Sequence, residues 1–357
     1  MNEYALKTGI SKEGSKALQG LAILMMLYHH LFSTPEALGI DYVSLLNFNG
    51  INVELHMAWF FKICVGIYAF VSGYGMLRAF ESKRTPADPF ITSLLYDLKT
   101  VLYKLFSFYK VFWAVFIIFV PIGFIFFDKS FELKEFILNF FGLSNSYNGA
   151  WWYILQYLKM MLLLPFIDVA FKKFENKKDK TVRILYILIA FAAALSLYLI
   201  NKDLFYEILS FFQPAFLLCF IAGYIISRFK LYEFMGRILN PTVLNILAFL
   251  AFFAVIVVRV KLAKDASSAG LDFIFVPLFS YGFLSMISFS RPIERFFEFF
   301  GTHSTIMWLV HVFFYDHYAK KIVMMSGYSA TIYLTLLIMS LLTAIAYRLV
   351  LLRFQKK

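Results

Sequence analysis

The sequence predicts an all-α fold, a polytopic bundle of transmembrane helices. Of its 357 residues, 61% are hydrophobic and only 16% are charged, whereas a soluble domain carries roughly 25% charged residues. Apolar runs of about 20 residues, the length with which a helix crosses a bilayer, recur along the whole chain. A soluble multidomain protein would need many buried helices and almost no surface, so this class of protein is excluded.

The apolar runs predict about ten spans in a single membrane domain over residues 1–357. The centres of the spans are expected near Leu24, Ala69, Ala114, Leu162, Ala190, Cys219, Leu250, Phe279, Leu309 and Leu341. The segment from Phe131 to Phe141 is too short and too charged to span. Its pattern instead predicts an amphipathic helix at the membrane surface.

The net charge of +12 comes from Lys and Arg residues that concentrate in alternate connectors. About 23 of these residues fall on the side that holds both termini and about eight on the other side, which predicts cytoplasmic termini. Because orientation accounts for the charge, no nucleic-acid partner is expected. Cys64 and Cys219 lie inside apolar runs, and neither metal-ligand spacing nor a disulfide framework accompanies them.

The first predicted span carries polar residues, which are costly in hydrocarbon and are therefore candidates for chemistry. Gln19 and His30 are separated by three helical turns plus roughly 20°, so they share one helix face about 16 Å apart. His29 points about 100° away from that face. A neutral imidazole is the commonest general base near neutral pH, which makes His30 and then His29 the catalytic candidates. The alternative is a pair of interfacial histidines at a helix end.

The ninth predicted span carries a polar stripe, because Ser304, Trp308 and His311 follow one another at i, i+4 and i+7. Such a stripe can line a polar cavity and contact substrate. The alternative is a hydrogen bond between helices, which Ser and His commonly supply in membranes.

Two further segments have distinctive small or aromatic residues. In the second span, small residues around Ser72 favour close helix packing over catalysis. Trp151 and Trp152 open the fourth span. Interfacial anchoring is the default role for such aromatics, and a stacking platform for a sugar is the alternative.

Together these segments resemble the acyltransferase-3 family of integral membrane O-acyltransferases. That family has a basic residue, ten intervening residues and a His in its first span, which is the spacing from Gln19 to His30. The aromatic stretch ending in Ser-Gly-aromatic in its second span is matched from Phe70 to Tyr74. The late Gly, Ser, Tyr, His motif is matched in spacing by Gly301, Ser304, Trp308 and His311. Trp151, Trp152 and Tyr153 are similar to the aromatic opening of a middle span in the family.

The sequence departs from the family pattern at its first motif. Gln19 stands where the family has Arg, and Lys16, one turn earlier, is the residue that could substitute for it. Trp308 stands where the family has Tyr. The chain also shows no soluble esterase-like domain of the kind that some relatives carry, so a membrane-only member is expected.

The resemblance implies transfer of an acyl group, acetyl being the first expectation, from acyl-CoA to a hydroxyl of a glycan or glycolipid. Acyl-CoA would be a co-substrate, with no resident cofactor and no metal. His30 would act as the base or would carry the acyl group itself. Gln19, Lys16 and the aromatic and polar residues named above would contact the substrates. The location implied is the cell membrane, with multiple passes, and the oligomeric state and acceptor are open.

A transporter or flippase of a lipid-linked glycan is the alternative from another functional class. Such a protein would more often show internal repeats and helices broken near mid-bilayer. A structural membrane subunit without chemistry is a third possibility, and it leaves His30 and His311 unexplained.

Overall fold

The structure is a computed structural model that describes residues 9–36, 39, 42–82, 89–127, 130–175, 204, 212–262 and 268–355. Within these ranges the chain is almost entirely helical, and the one sheet is a two-stranded antiparallel hairpin. The predicted all-α class is therefore confirmed for the described residues.

The first half of the chain holds six helices and the hairpin in its described part. In order, these are α1 (Lys12–Phe32), β1 (Asn47–Phe48), β2 (Ile51–Asn52), α2 (Val53–Phe61), α3 (Ile63–Glu81), α4 (Phe90–Phe126), α5 (Leu133–Phe140) and, after a 3₁₀ turn (Gly149–Trp151), α6 (Trp152–Glu175). Side-chain caps begin two of these helices: Ser11 accepts a hydrogen bond from the Gly14 amide, and Asn52 accepts one from Leu55.

The described part of the second half holds seven helices. In order, these are α7 (Pro214–Arg228), α8 (Leu231–Ile238), α9 (Pro241–Leu262), α10 (Asp272–Ile287), α11 (Arg291–Val312), which continues into a π-helical turn (Phe313–His317), α12 (Lys320–Met324) and α13 (Ser329–Gln355). Proline stands in the first turn of α7, α9 and α11, where its missing N–H costs nothing and its fixed φ suits a helix.

Five segments of the described chain are long and apolar enough to cross a membrane, and α7 with α8 makes a sixth if their 52° bend lies within one span. The five are Val53–Glu81, Phe90–Phe126, Gly149–Lys172, Pro241–Leu262 and Ser329–Val350. A membrane protein is thus supported, with fewer such helices than the ten predicted. Helices α1 and α11 are less apolar because they carry the candidate histidines and several charges, and α10 is short. The span predicted near Ala190 lies outside the described residues.

Between Phe131 and Phe141, where an amphipathic surface helix is predicted, the structure has the helix α5 (Leu133–Phe140). It packs on α4, where the Trp113 ring stacks on Phe140 at 5.2 Å and the Trp113 indole N–H donates to the Phe140 carbonyl. At its first turn, the hydroxyls of Ser146 and Ser144 donate to the Glu135 carboxylate, and these hydrogen bonds lower the pKa of Glu135.

Helices α1 and α11 cross at a pair of glycines. A Cβ on Gly20 would overlap the Phe297 carbonyl oxygen, and a Cβ on Gly301 would overlap the Lys16 carbonyl oxygen. The two backbones therefore touch without side chains between them, as in other membrane helix pairs built on small residues.

Helices α3 and α7 cross in the same way. A Cβ on Gly73 would overlap the Phe220 carbonyl oxygen, and a Cβ on Gly223 would overlap that of Phe70. The packing role predicted for the small residues of the second span is consistent with this crossing. Gly75, two positions along α3, has no atom within 4 Å of its would-be Cβ.

We expect Gly73→Ala to lower the yield and melting temperature of the detergent-purified protein, because α3 and α7 must separate to admit the methyl group. Gly75→Ala is the matched control, since it adds the same methyl group to the same helix in open space. It should leave both quantities unchanged or slightly raised, because Ala is the better helix former by about 1 kcal/mol. Equal melting temperatures for the two variants would contradict the tight crossing.

The break between α2 and α3 is held by two side chains from other helices. The last carbonyls of α2 accept hydrogen bonds from them: Ala58 from His29 Nδ1 at 2.7 Å, Trp59 from Arg259 at 3.2 Å and Phe60 from Arg259 at 2.6 Å. Carbonyls in the last turn of a helix lack their usual partners, and the Lys62 amide is a further donor to Trp59, at 3.3 Å. Side chains of α1 and α9 thus satisfy the end of α2.

Arg259 also forms a fully buried ion pair with Asp272 at the start of α10. The pair is bidentate, with Nε to Oδ1 at 2.7 Å and Nη2 to Oδ2 at 3.1 Å, and both side chains are 0% exposed. Arg259 is one of the about eight Lys and Arg residues that the charge pattern assigns to the connectors on the side opposite the termini. The structure places Arg259 inside α9, where its hydrogen bonds connect this helix to α2 and α10.

Candidate active site

A cavity of about 140 Å³ lies between α1, α3, α4, α6 and α11. Its polar lining residues include Gln19, His30, Tyr68, Ser72 and Thr305. The remaining lining residues are mostly apolar or aromatic: Met26, Val65, Phe108, Ala150, Trp152, Tyr153, Tyr157 and Trp308. A concave site with an apolar wall and a few convergent polar groups is typical of small-molecule binding.

Helix α1 contributes the two polar residues that the sequence places on one face. Gln19, Met26 and His30 follow at i, i+7 and i+11, so one stripe of α1 runs along the cavity. The Gln19 backbone carbonyl accepts a hydrogen bond from Tyr68, also in the lining, at 3.2 Å. The cavity therefore extends over about 16 Å of α1.

His30 contacts α11 through one edge of its ring. Its Nδ1 lies 3.2 Å from the Tyr315 hydroxyl and 3.4 Å from Nε2 of His311. His30 also lines the cavity, and its other ring nitrogen, Nε2, takes no part in these two contacts. This nitrogen is the one that a ligand in the cavity can approach.

His29 lies outside the cavity lining. Its Nδ1–H donates to the Ala58 carbonyl at 2.7 Å, so the ring faces α2. The two neighbouring histidines therefore have different surroundings, one lining the cavity and the other holding a helix end.

Of the three residues in the stripe predicted on α11, one lines the cavity and two are buried outside its lining. Trp308 lines the cavity, and its indole N–H donates to the Ala150 carbonyl at 3.3 Å. Ser304 is buried outside the lining and donates to the Gly301 carbonyl at 3.0 Å. His311 is fully buried behind His30.

The two tryptophans at the start of the fourth predicted span are also separated. Trp152 lines the cavity. Trp151 is fully buried outside the lining, where its indole N–H donates to the Leu309 carbonyl at 3.1 Å and its ring packs edge-on against Phe112. Trp151 ends the 3₁₀ turn and Trp152 begins α6, and the two side chains point in different directions.

Lys16 is not part of the cavity lining. It lies one turn before Gln19, beside the crossing of α1 and α11, and interacts electrostatically with Glu298 and Arg348. The Lys16 ammonium group could therefore contact only a ligand that extends out of the cavity past Gln19.

A family model described as an acyltransferase domain matches residues 13–350. The chain belongs to the acyltransferase-3 family. This match covers nearly the whole chain, confirms the resemblance found in the motifs, and supports a membrane acyltransferase. No curated protein and no solved structure matches the chain significantly.

Three residues at or near the candidate site were not singled out from the sequence. Tyr68 and Thr305 line the cavity, and Tyr315 contacts His30 from behind. Helical spacing offered a signal for each of them. Tyr68 precedes Ser72 by four positions, Thr305 precedes Trp308 by three, and Tyr315 follows His311 by four, and residues so spaced share a helix face.

Proposed function

We propose that this acyltransferase is a multi-pass protein of the cell membrane that moves an acyl group, acetyl first, from acyl-CoA to a hydroxyl of a glycan or glycolipid. The observation that carries the proposal is that Gln19 and His30, the pair with the family spacing, line one cavity. Family membership supports acyl transfer, and the proposal adds the donor, the acceptor and the base.

In the proposed reaction, the acceptor hydroxyl gives its proton to Nε2 of His30 while its oxygen attacks the thioester carbonyl carbon. The carbon–sulfur bond then breaks, and the departing thiolate takes the proton back from the imidazolium. The products are an ester and free coenzyme A, and His30 returns to its neutral form. A thioester is already activated, so correct positioning and one base suffice.

A covalent route uses the same residues. Here His30 attacks the thioester carbon and the carbon–sulfur bond breaks, so that coenzyme A leaves as the thiol with the imidazole proton and an acyl-imidazole remains. The acceptor hydroxyl then attacks the acyl carbon, the carbon–nitrogen bond breaks, and the hydroxyl proton returns to the imidazole. The two routes differ in one observable, because only the covalent route labels the protein with acyl-CoA in the absence of acceptor.

The remaining lining residues have proposed roles in binding. The faces of Trp152 and Trp308 are suited to packing against a sugar ring, and the Gln19 amide can hydrogen-bond to substrate. Lys16, at the end that we propose is cytoplasmic, would attract the phosphates of the donor. Ser304 and His311 would act behind the cavity wall, supporting the residues that touch substrate.

The test is an assay of the detergent-purified protein with acetyl-CoA labelled in the acetyl group and with extracted glycan or glycolipid acceptors. We expect release of coenzyme A in step with transfer of label to acceptor as an alkali-labile ester. Reactions without acceptor correct for hydrolysis. A folded wild-type protein that never consumes the thioester, with any acceptor, would contradict the proposal and favour the glycan transporter.

A further inference from the structure

We propose that Tyr315 is a positioning residue for His30, which acts with His311 to keep the His30 proton on Nδ1 and so leaves Nε2 free to serve as the base. The inference rests on the proposed function, and it assigns a role to a residue outside the motifs that the sequence shares with the family. The evidence for it is the arrangement of the His30, His311 and Tyr315 rings.

The rings of His30, His311 and Tyr315 are in mutual contact. Their centroids are 4.8 Å apart for the two histidines, 6.1 Å for His30 and Tyr315, and 5.7 Å for His311 and Tyr315. His311 and Tyr315 are one helical turn apart and share a face. His311 is 0% exposed and Tyr315 7% exposed, so two of the three rings are shielded from solvent. Tyr315 lies in the π-helical turn, a feature frequent at functional sites.

The proton position on His311 follows from its surroundings. Its Nδ1 lies 2.7 Å from the Trp308 carbonyl oxygen. A carbonyl oxygen can only accept, so Nδ1 of His311 must carry a proton. Two adjacent buried imidazoles are costly to charge, so His311 is neutral and its Nε2 bears a lone pair.

The proton position on His30 follows from that of His311. The His311 lone pair lies 3.4 Å from Nδ1 of His30, and the Tyr315 hydroxyl lies 3.2 Å from the same atom. If Nδ1 of His30 carries the proton, it donates to both neighbours. If it does not, the Tyr315 hydroxyl can donate to it, but two lone pairs then face each other across the histidine pair, which is unfavourable. The geometry therefore selects the Nδ1–H tautomer, with Tyr315 as the second acceptor.

The selected tautomer matters for the reaction because a base must present a lone pair to the acceptor hydroxyl. With the proton on Nδ1, that lone pair lies on Nε2, the ring nitrogen that takes no part in the contacts with Tyr315 and His311. Removing the Tyr315 hydroxyl leaves His311 as the sole acceptor at 3.4 Å, which is a long hydrogen bond. The ring would then populate the unproductive tautomer and orientation more often.

The first measurement is magic-angle-spinning NMR of the full-length protein in lipid, with ¹⁵N-labelled histidine. The His30 signals are assigned by their loss in His30→Ala. We expect the unprotonated ¹⁵N signal of His30 to belong to Nε2 in the wild type and to move towards a mixture of tautomers in Tyr315→Phe. Tyr318→Phe is the matched control, because its hydroxyl donates to the Phe119 carbonyl at 2.8 Å, away from His30. It should leave the His30 signals unchanged.

The second measurement is steady-state acyl transfer by the same variants. Loss of one hydrogen bond to the base should lower kcat of Tyr315→Phe roughly tenfold, with KM for acyl-CoA unchanged and melting temperature close to that of Tyr318→Phe. His311→Gln should keep more activity than His311→Ala, because the Gln carbonyl oxygen can still accept from Nδ1–H of His30.

Two results would overturn the inference: a wild-type spectrum with the His30 proton on Nε2, or a Tyr315→Phe variant with wild-type kcat and wild-type His30 signals. Failure of the proposed function looks different. In that case the wild-type protein consumes no acyl-CoA, while the NMR experiment still reports the tautomer and its dependence on Tyr315.

Discussion

His30→Ala is expected to lower the rate of acyl transfer by a factor of roughly 100 to 10,000, because loss of a general base typically costs this much. The cavity keeps its other walls, so binding of acyl-CoA should persist. The measurement is transfer of labelled acetyl from acetyl-CoA to the acceptor, at equal amounts of folded protein judged by size-exclusion profile and melting temperature.

Two other histidines serve as comparisons for this variant. His29→Ala should reduce the rate per folded molecule less than His30→Ala does. His29 donates a hydrogen bond to the Ala58 carbonyl and does not line the cavity. The substitution should instead lower the melting temperature, because an unsatisfied buried carbonyl costs about 1–3 kcal/mol. His303→Ala is the neutral control: its Nδ1–H donates within α11 to the Phe299 carbonyl at 2.9 Å.

The outcome also separates the two proposed routes. Acyl label that stays on the wild-type protein without acceptor, and is absent from His30→Ala, would make His30 the acyl carrier. Acyl transfer at the wild-type rate in folded His30→Ala would remove His30 from the chemistry altogether, and the base would then be sought first in His29 and next in His311.

Arg259→Met is expected to have the largest effect on stability, about 3–5 kcal/mol, because removing one partner of a buried ion pair leaves the other charge uncompensated. Asp272 would keep its carboxylate in a fully buried position. The carbonyls of Trp59 and Phe60 would lose their side-chain donor as well. The measurement is thermal unfolding of the detergent-purified protein, together with the yield from membranes.

Two further variants make this prediction specific. Arg291→Met removes an Arg whose side chain is 48% exposed and paired with Glu294 and Glu298 at the surface, so it should cost at most about 1 kcal/mol. Arg259→Met combined with Asp272→Leu should recover part of the loss, because an apolar pair replaces the orphaned charge. An Arg259→Met protein as stable as Arg291→Met would show that the buried pair does not hold the helices together.

The shared face of Gln19 and His30 could be predicted because helical geometry alone fixes it. The motif spacing then identified the family correctly. The contact of His30 with His311 could not be predicted in this way, because 281 residues separate them and only the crossing of α1 with α11 brings them together. Spacing also gave no means to tell which of Trp151 and Trp152 faces the cavity, since that depends on the rotation of α6 against its neighbours.

The number of spans shows a second limit of sequence patterns. Hydropathy identifies helices that face lipid, such as α4 and α9. It is weaker for α1 and α11, whose polar residues face each other or the cavity. The helices that carry the candidate chemistry are thus those whose membrane character is least evident, because function requires the polar groups that reduce their hydropathy.

The glycine crossing of α1 and α11 sets the alignment of the histidine pair from a distance. His30 follows Gly20 by ten residues and His311 follows Gly301 by ten, so each imidazole lies at the end of a rigid arm about 15 Å long that starts at the same point. A change of roughly 5° in the crossing angle would displace one arm's end by about 1.3 Å, enough to separate His30 from His311. The distance between the two imidazole rings is therefore set by the close backbone contact at Gly20 and Gly301. We expect natural variation at these two positions to be as restricted as at the histidines themselves.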